Sequence, residues 1–269
     1  MFSVVIPLYN KELSIESTIK SVLNQNYKDF EIVIVNDGST DGSVAVIEKM
    51  DDCRIRVIHQ KNQGVSAARN TGIREAKNEW IAFLDADDLW MENHLDEIFN
   101  MMKAYPNENV FVTSFVYSIK QSVDCFQNNR EVYLIRNFFK EYFPFRDLIC
   151  TITVVIRKKT LVEVGGYDTR LCLGEDMDLW ARLGRKHSLV KSDVITAIYR
   201  VEAENRSDEG SYNMKKSFLA YIDFDKMDSS EEKKFYAFWL KHKMKHFIKT
   251  VDVKNFFFVL KKYNLNLLH

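Results

Sequence analysis

The chain has 269 residues, 46% hydrophobic and 28% charged, which is ample for one large core and excludes a mainly disordered chain. Its 38 basic and 38 acidic residues cancel, so total charge gives no case for nucleic acid, and nine glycines and three prolines exclude fibrous or low-complexity architecture. Cys53, Cys125, Cys150 and Cys172 are scattered without a C-x-x-C pair, and neither a basic-flanked leader nor ~18 consecutive apolar residues occur, so the expectation is a cytoplasmic protein that at most touches a membrane.

Residues 2–110 alternate short β-branched runs with helical patterns, the rhythm of a parallel sheet with helices on its faces. Strands are predicted at 3–6, 31–35, 55–58 and 80–84, and helices at about 14–23, 43–50 and 66–74. In the first helix Ile15, Ile19, Val22 and Leu23 recur at spacings of three and four. Asp41 reads as the N-cap of the second, with Gly38 and Gly42 supplying the turn before it. From 110 to 160 the pattern is mixed, with strand-like runs at 110–117 and 150–157 around the aromatic segment Phe138–Phe145. Beyond about 211 the chain reads as helical.

In open α/β sheets the ligand crevice lies at the carboxyl ends of the strands, so the loops there carry the chemistry. The first, Pro7-Leu8-Tyr9-Asn10-Lys11-Glu12, lacks the G-x-G-x-x-G that a dinucleotide pyrophosphate requires, which disfavours a dehydrogenase. The second, Asn36-Asp37-Gly38-Ser39-Thr40-Asp41-Gly42, places a carboxylate at a strand end, where it can accept a hydrogen bond from a base or ribose. The third, Leu84-Asp85-Ala86-Asp87-Asp88, sets three acids after an apolar strand; either they serve a hard divalent ion and a ribose, or Asp87 or Asp88 caps the next helix. The fourth runs from Gly165-Gly166-Tyr167-Asp168 to Gly174-Glu175-Asp176-Met177-Asp178-Leu179-Trp180. Trp180 and Leu183 share a helix face with Asp176, and the helix N-terminus favours the ionised carboxylate that a general base needs, although acids in a first turn are also ordinary capping.

As an ordered set, Val4-Val5-Ile6-Pro7-Leu8-Tyr9-Asn10, Val35-Asn36-Asp37-Gly38-Ser39-Thr40-Asp41, Asn62-Gln63-Gly64-Val65-Ser66-Ala67-Ala68-Arg69-Asn70 and Phe83-Leu84-Asp85-Ala86-Asp87-Asp88 resemble family 2 glycosyltransferases of the GT-A fold. Glu175-Asp176 followed by Leu179-Trp180 is similar to that family's acceptor-side motif. The resemblance implies a mostly parallel, Rossmann-like central sheet flanked by helices. It implies a GT-A domain over 1–210, with a nucleotide-sugar half (1–110) and an acceptor half (111–210), and 211–269 form a helical extension. It implies that Pro7, Tyr9 and Glu12 line the nucleoside pocket, Asp37 binds the base, and Arg69 lies on the donor side. Asp85-Ala86-Asp87 is the D-x-D motif of this resemblance, with Asp85 toward the ribose and Asp87 toward Mg²⁺ or Mn²⁺. Asp176 is then the general base of an inverting transfer, with Glu175 helping to hold the acceptor.

Many relatives carry a histidine after a Tyr-Arg pair, whereas Tyr199-Arg200 here leads into Val201-Glu202-Ala203-Glu204-Asn205-Arg206. Water, Glu202 or Glu204 then completes the metal shell, or metal dependence is weak; Arg200 and Arg206 are candidates for the diphosphate. The expected activity is transfer of a hexosyl or N-acetylhexosaminyl group from a nucleotide sugar, UDP by family weight, to a saccharide or lipid-linked saccharide. The competitors are a sugar-nucleotide pyrophosphorylase, which needs a basic glycine-rich first loop, and a non-catalytic nucleotide-sugar-binding subunit.

Charge is unevenly distributed: residues 1–210 hold 26 basic and 32 acidic groups, residues 211–269 hold 12 and 6. Between 233 and 263 the lysines accompany a stripe of Phe235, Phe238, Trp239, His242, Phe247, Ile248 and Val251, and a second of Phe256, Phe257, Val259, Leu260 and Tyr263. Such a segment either lies on an anionic membrane, on the inner face of the cytoplasmic membrane for this family, or packs its stripe on the domain with the lysines in water.

Overall fold

A computed structural model describes residues 1–118, 131–142, 148–205, 213–227 and 229–263. The N-terminal third alternates strand and helix in the expected order: β1 (Phe2–Leu8), α1 (Ile15–Leu23), β2 (Phe30–Asn36), α2 (Ser43–Glu48), β3 (Ile55–His59), α3 (Val65–Glu75) and β4 (Trp80–Phe83). There follow β5 (Leu89–Trp90), α4 (His94–Ala104), β6 (Val110–Tyr117), β7 (Val132–Ile135) and α5 (Phe138–Glu141). β8 (Val154–Arg157), α6 (Lys158–Glu163), α7 (Glu175–Gly184) and β9 (Leu189–Tyr199) complete the sheet, and α8 (Ser230–Lys249) and α9 (Val253–Tyr263) end the described chain.

One nine-stranded sheet runs in the order β3-β2-β1-β4-β8-β6-β9-β5, with β7 also paired to β9. β1 to β4 are parallel, joined by crossovers through α1, α2 and α3. β8 enters antiparallel between β4 and β6. Alternation along β1 divides the core: Phe2, Val4, Ile6 and Leu8 join Ile15, Ile19 and Val22 of α1 and Leu95, Ile98 and Met101 of α4, while Val5 joins Ala68 and Ile73 of α3 on the opposite face. The second face also receives Leu179, Trp180 and Leu183 of α7 and Phe235, Leu240 and Phe247 of α8.

Several expectations shift by a residue or more. Asp41 precedes the N-cap, which is Gly42, yet its carboxylate still accepts from Ser43 N at 3.0 Å. Neither Asp87 nor Asp88 caps a helix, because β5 intervenes before α4. The run at 150–157 is a 3-10 turn at Thr151–Thr153 followed by β8. Phe143 to Phe145 and the expected boundary near 210 lie outside the described residues.

Part of the C-terminal stripe packs on the domain. Phe235, Tyr236, Leu240, Met244 and Phe247 are buried, and the Phe235 ring lies 5.8, 5.5 and 4.9 Å from those of Phe138, Phe139 and Tyr142. Arg185, at the C-cap of α7, pairs with Glu232 of α8 at 2.5 Å, so α8 buttresses α7. Within α8, α9 and the turn between them, the exposed large apolar groups gather at the elbow: Ile248, Val251, Val253 and Phe257 are 62%, 76%, 56% and 61% exposed. Among the described residues no helix is long and apolar enough to cross a membrane.

Candidate active site

The carboxyl ends of β1, β2 and β4 lie side by side, so their loops converge on one cleft. Pro7 fits within β1 because β4 pairs only as far as Val5, beyond which Pro7 need not supply an N–H to β4. With the start of α7, these loops line a cavity of about 830 Å³. Of the site residues anticipated from sequence, Pro7, Tyr9, Asp37, Arg69, Asp85, Ala86, Asp87, Glu175 and Asp176 all line it. Glu12 does not: it is exposed, and its carboxylate accepts from Gly42 N at 2.6 Å.

Asp37 is 3% exposed and accepts three hydrogen bonds from the turn before α3: Gln60 Nε2 at 2.7 Å, Gln63 N at 2.9 Å and Gly64 N at 2.8 Å. It therefore shapes the pocket wall as well as facing it. Arg69, on the buried side of α3, joins the two halves of the cleft, donating to Asp85 at 2.7 Å and Glu175 at 3.0 Å. Its guanidinium also stands 5.1 Å from the centre of the buried Tyr167 ring. Nearby, Asn70 pairs with the Tyr167 backbone twice, donating to the carbonyl at 2.7 Å and accepting from the N–H at 2.8 Å.

Gly174 sits before α7 at φ +68°, where a Cβ would lie 2.4 Å from the Phe218 ring, so glycine alone permits this entry into the helix. Asp176 then hangs over the cleft while Leu179, Trp180 and Leu183 anchor the helix below. Asp176 is half-buried at the cavity wall. Burial, reinforced by the adjacent Glu175 charge, pushes its pKa up to about 6, against the opposing pull of Met177 N and Arg69. A carboxylate so placed is ionised at neutral pH and basic enough to take a proton.

Asp87 donates nothing and accepts from Lys11 Nζ at 2.7 Å. The same ammonium donates to the carbonyls of Glu204 and of Asn205, the latter at 3.3 Å. Glu202 turns to Ser118 Oγ at 2.7 Å, and the Glu204 carboxylate to Ser14 Oγ. Arg200 donates its guanidinium to the Asp87 carbonyl, to Ser17 Oγ and to Thr18 Oγ1, and its N–H to the buried Asp88 carboxylate at 2.8 Å. Arg206 lies outside the described residues. As these side chains stand, the donor set around Asp87 does not fit Mg²⁺ or Mn²⁺: one carboxylate faces an ammonium, and among the described residues no three His, Cys, Asp or Glu groups converge to hold an ion.

Sequence reasoning missed Lys11 and Asn205 as cavity residues. Lys11 stands in the first crevice loop but carries no motif signal of its own, and Asn205 reaches the cleft only through the return of the chain after β9.

A sequence model of the family described as Glycosyl transferase family 2 matches residues 3–161. An uncharacterized glycosyltransferase of Rickettsia bellii is 33% identical over 190 residues, 70% of this chain and 27% of that protein. Another, from Rickettsia typhi, is 30% identical over 225 residues, 78% of this chain and 69% of that protein. The chain spans between 27% and 31% of the length of the first curated relatives it matches. The crystal structure of S. aureus TarS 1–349 in complex with UDP-GlcNAc shares the fold, with a TM-score of 0.70 at 19% identity over 98% of this chain and 76% of that one. The GT-A type α/β class expected from sequence is thus the one found. Because the matched stretch carries every loop from β1, β2 and β4 that builds the cleft and continues through β8, the chain belongs to glycosyl transferase family 2.

Proposed function

We propose that the chain is an inverting glycosyltransferase that moves a hexosyl or N-acetylhexosaminyl group from a nucleotide sugar, a UDP-sugar first of all, to an acceptor hydroxyl in building a cell-surface polysaccharide or related glycan. The observation that carries this reading is the convergence of Asp37, Asp85, Asp87, Glu175 and Asp176 on one cavity at the strand ends. The relatives, named as glycosyltransferases, and the UDP-GlcNAc bound in the TarS complex support it. In this reading Tyr9, 45% exposed, and Asp37 hold the base, and Pro7, Ala86 and Asp85 hold the ribose side. Arg69 is a positioning residue that ties the donor loop to α7. The acceptor, a saccharide or lipid-linked saccharide, binds at Glu175.

In the reaction the acceptor hydroxyl gives its proton to Asp176 as its oxygen attacks the anomeric carbon. The bond from that carbon to the diphosphate oxygen breaks on the opposite side, so configuration inverts and no covalent enzyme intermediate forms. The divalent ion implied by the resemblance would bind Asp87 only after Lys11 left that carboxylate.

Against a non-catalytic subunit stands the state of Asp176, since a carboxylate held near pKa 6 by burial is costly to keep where no proton is to be taken. We also propose the division 1–210 and 211–269, a cytoplasmic location, and contact with the inner face of an anionic membrane. That contact would run through the α8–α9 elbow, where exposed Lys245, Lys249 and Lys254 surround Ile248, Val251 and Phe257.

The test is thermal unfolding of the chain with UDP, GDP, dTDP and their sugar conjugates. A nucleotide at ~100 times its dissociation constant stabilises the fold by about 2.7 kcal/mol. A shift with one nucleotide, weakened in Asp85→Ala, is expected; no shift with any of them, in folded protein, would sink the donor assignment.

A further inference from the structure

Among the described residues the cavity is lined by two cationic side chains, Lys11 and Arg69, against Asp37, Asp85, Asp87, Asp88, Glu175 and Asp176. Arg69 is committed to Asp85 and Glu175. On the glycosyltransferase reading a nucleoside diphosphate brings further negative charge to the Asp87 end, and of the two cations lining the cavity the one standing there is Lys11. Lys11 and Asp87 are only 11% and 14% exposed, so water neutralises neither of them well.

The placement of Lys11 is built into the backbone. Asn10 adopts φ 52° and is pinned by Thr40 N on its side chain at 2.7 Å and by Ser39 Oγ on its N–H at 3.1 Å. Lys11 N donates to Ser43 Oγ at 2.8 Å, and Lys11 O accepts from Ser14 N and Ile15 N at 3.1 and 2.9 Å. The side chain therefore leaves a fixed platform. An ammonium has three donors and no acceptor, and here three acceptors surround it: Asp87 Oδ2, Glu204 O and Asn205 O. The third contact is the longest, at 3.3 Å, so it is the one an incoming phosphate oxygen can take over.

Resting on the glycosyltransferase reading, we propose that Lys11 is the built-in cation of the donor site: its ammonium neutralises Asp87 and meets the donor diphosphate, so that nucleotide binds without a divalent ion. Lys11 binds the leaving nucleotide and also clasps the 204–205 turn against the loop after β1, a seam that Asn205 Nδ2 reinforces by donating to Asn10 O at 2.8 Å.

Equilibrium binding of UDP to the full chain, in EDTA and in Mn²⁺, tests this with a readout that needs no turnover. Wild type is expected to bind within about threefold in the two conditions, and Lys11→Met to lose about tenfold or more in EDTA, the worth of one charge-assisted contact. Mn²⁺ should restore part of that loss in Lys11→Met, because Asp87 is then open to it, and Lys11→Arg should stay near wild type. Should Lys11→Met fail to fold, wild type in EDTA and Lys11→Arg still decide. Binding by wild type only with Mn²⁺, or unaltered EDTA binding in folded Lys11→Met, overturns the inference and leaves the glycosyltransferase reading standing. No UDP, GDP or dTDP binding in either condition overturns both.

Discussion

Replacing Asp176 by asparagine should remove transfer and at the same time stabilise the protein, by an amount set by pH. The folded state holds this carboxyl near pKa 6, above its ordinary value of 3.8, mainly through burial and secondly through Glu175. The fold thus binds that proton more tightly than the unfolded chain does. Below pH ~4 both states are protonated and the group costs nothing; the penalty grows as pH rises and is complete above ~6. About two pH units at 1.36 kcal/mol each set a ceiling near 3 kcal/mol. Water in the cleft lowers that figure, so a gain of about 1–2.5 kcal/mol is expected, or ~3–8 °C in Tm for a chain of this size. Asparagine keeps the acceptor oxygen for Met177 N, which Asp176 now receives at 2.7 Å. The assay is thermal unfolding of wild type and Asp176→Asn at about pH 8 and about pH 4, alongside turnover, which should fall by ~10²–10⁴. A gain in Tm at pH 8 that disappears at pH 4 is expected. An equal gain at both pH values, or none at either, would refute the assignment of a buried, destabilising charge to Asp176.

Asp37→Ala leaves Gln60 Nε2, Gln63 N and Gly64 N without their acceptor and should cost about 1–3 kcal/mol even without nucleotide, whereas a pure base-binding residue would leave the apo Tm unmoved. Gly72→Ala improves helix propensity by ~1 kcal/mol, yet the new Cβ would lie 2.2 Å from Val5 Cγ1. A net loss of about 1–3 kcal/mol is expected by denaturant unfolding, partly returned by Val5→Ala in the same chain. At the α8–α9 elbow, Ile248→Ser with Phe257→Ser should weaken sedimentation with anionic liposomes about tenfold or more while leaving Tm unchanged, because both side chains are in water. Unaltered liposome binding would remove the elbow from the membrane reading.

The first four strands and three helices were legible because strands buried on both faces are continuous apolar runs and the helices between them carry a stripe on one side. α4 and β9 were not placed, for a reason visible in their contact. His94 meets Thr196 at 2.7 Å and Glu97 receives Ser192 Oγ at 2.7 Å, all of them buried, so a polar seam interrupts both patterns. His94 stays neutral there, since burial pulls its pKa down to about 3. The site residues at strand ends were readable from position alone. Lys11 was not, because its partners stand 76 and 193 residues away and only the fold brings them to it. The two C-terminal stripes left packing on the domain and a membrane surface both open; α8 packs part of the first on α5 and α7, and periodicity cannot say which neighbour covers a helix.

The insertion of β8 between β4 and β6 also dictates an order of biosynthesis. β4 ends at Phe83, and its second neighbour is not made until Arg157, about 75 residues later. At ~5–20 residues per second the ribosome needs roughly 4–15 s to deliver it. During that interval Ile81-Ala82-Phe83 presents an open apolar strand edge, with the cavity-lining acids Asp85 and Asp87 just beyond it in the chain. A nascent chain stalled before residue 157 is therefore a template for pairing with its neighbours on the same polysome, and one released after residue 199 has closed that edge with its own strands.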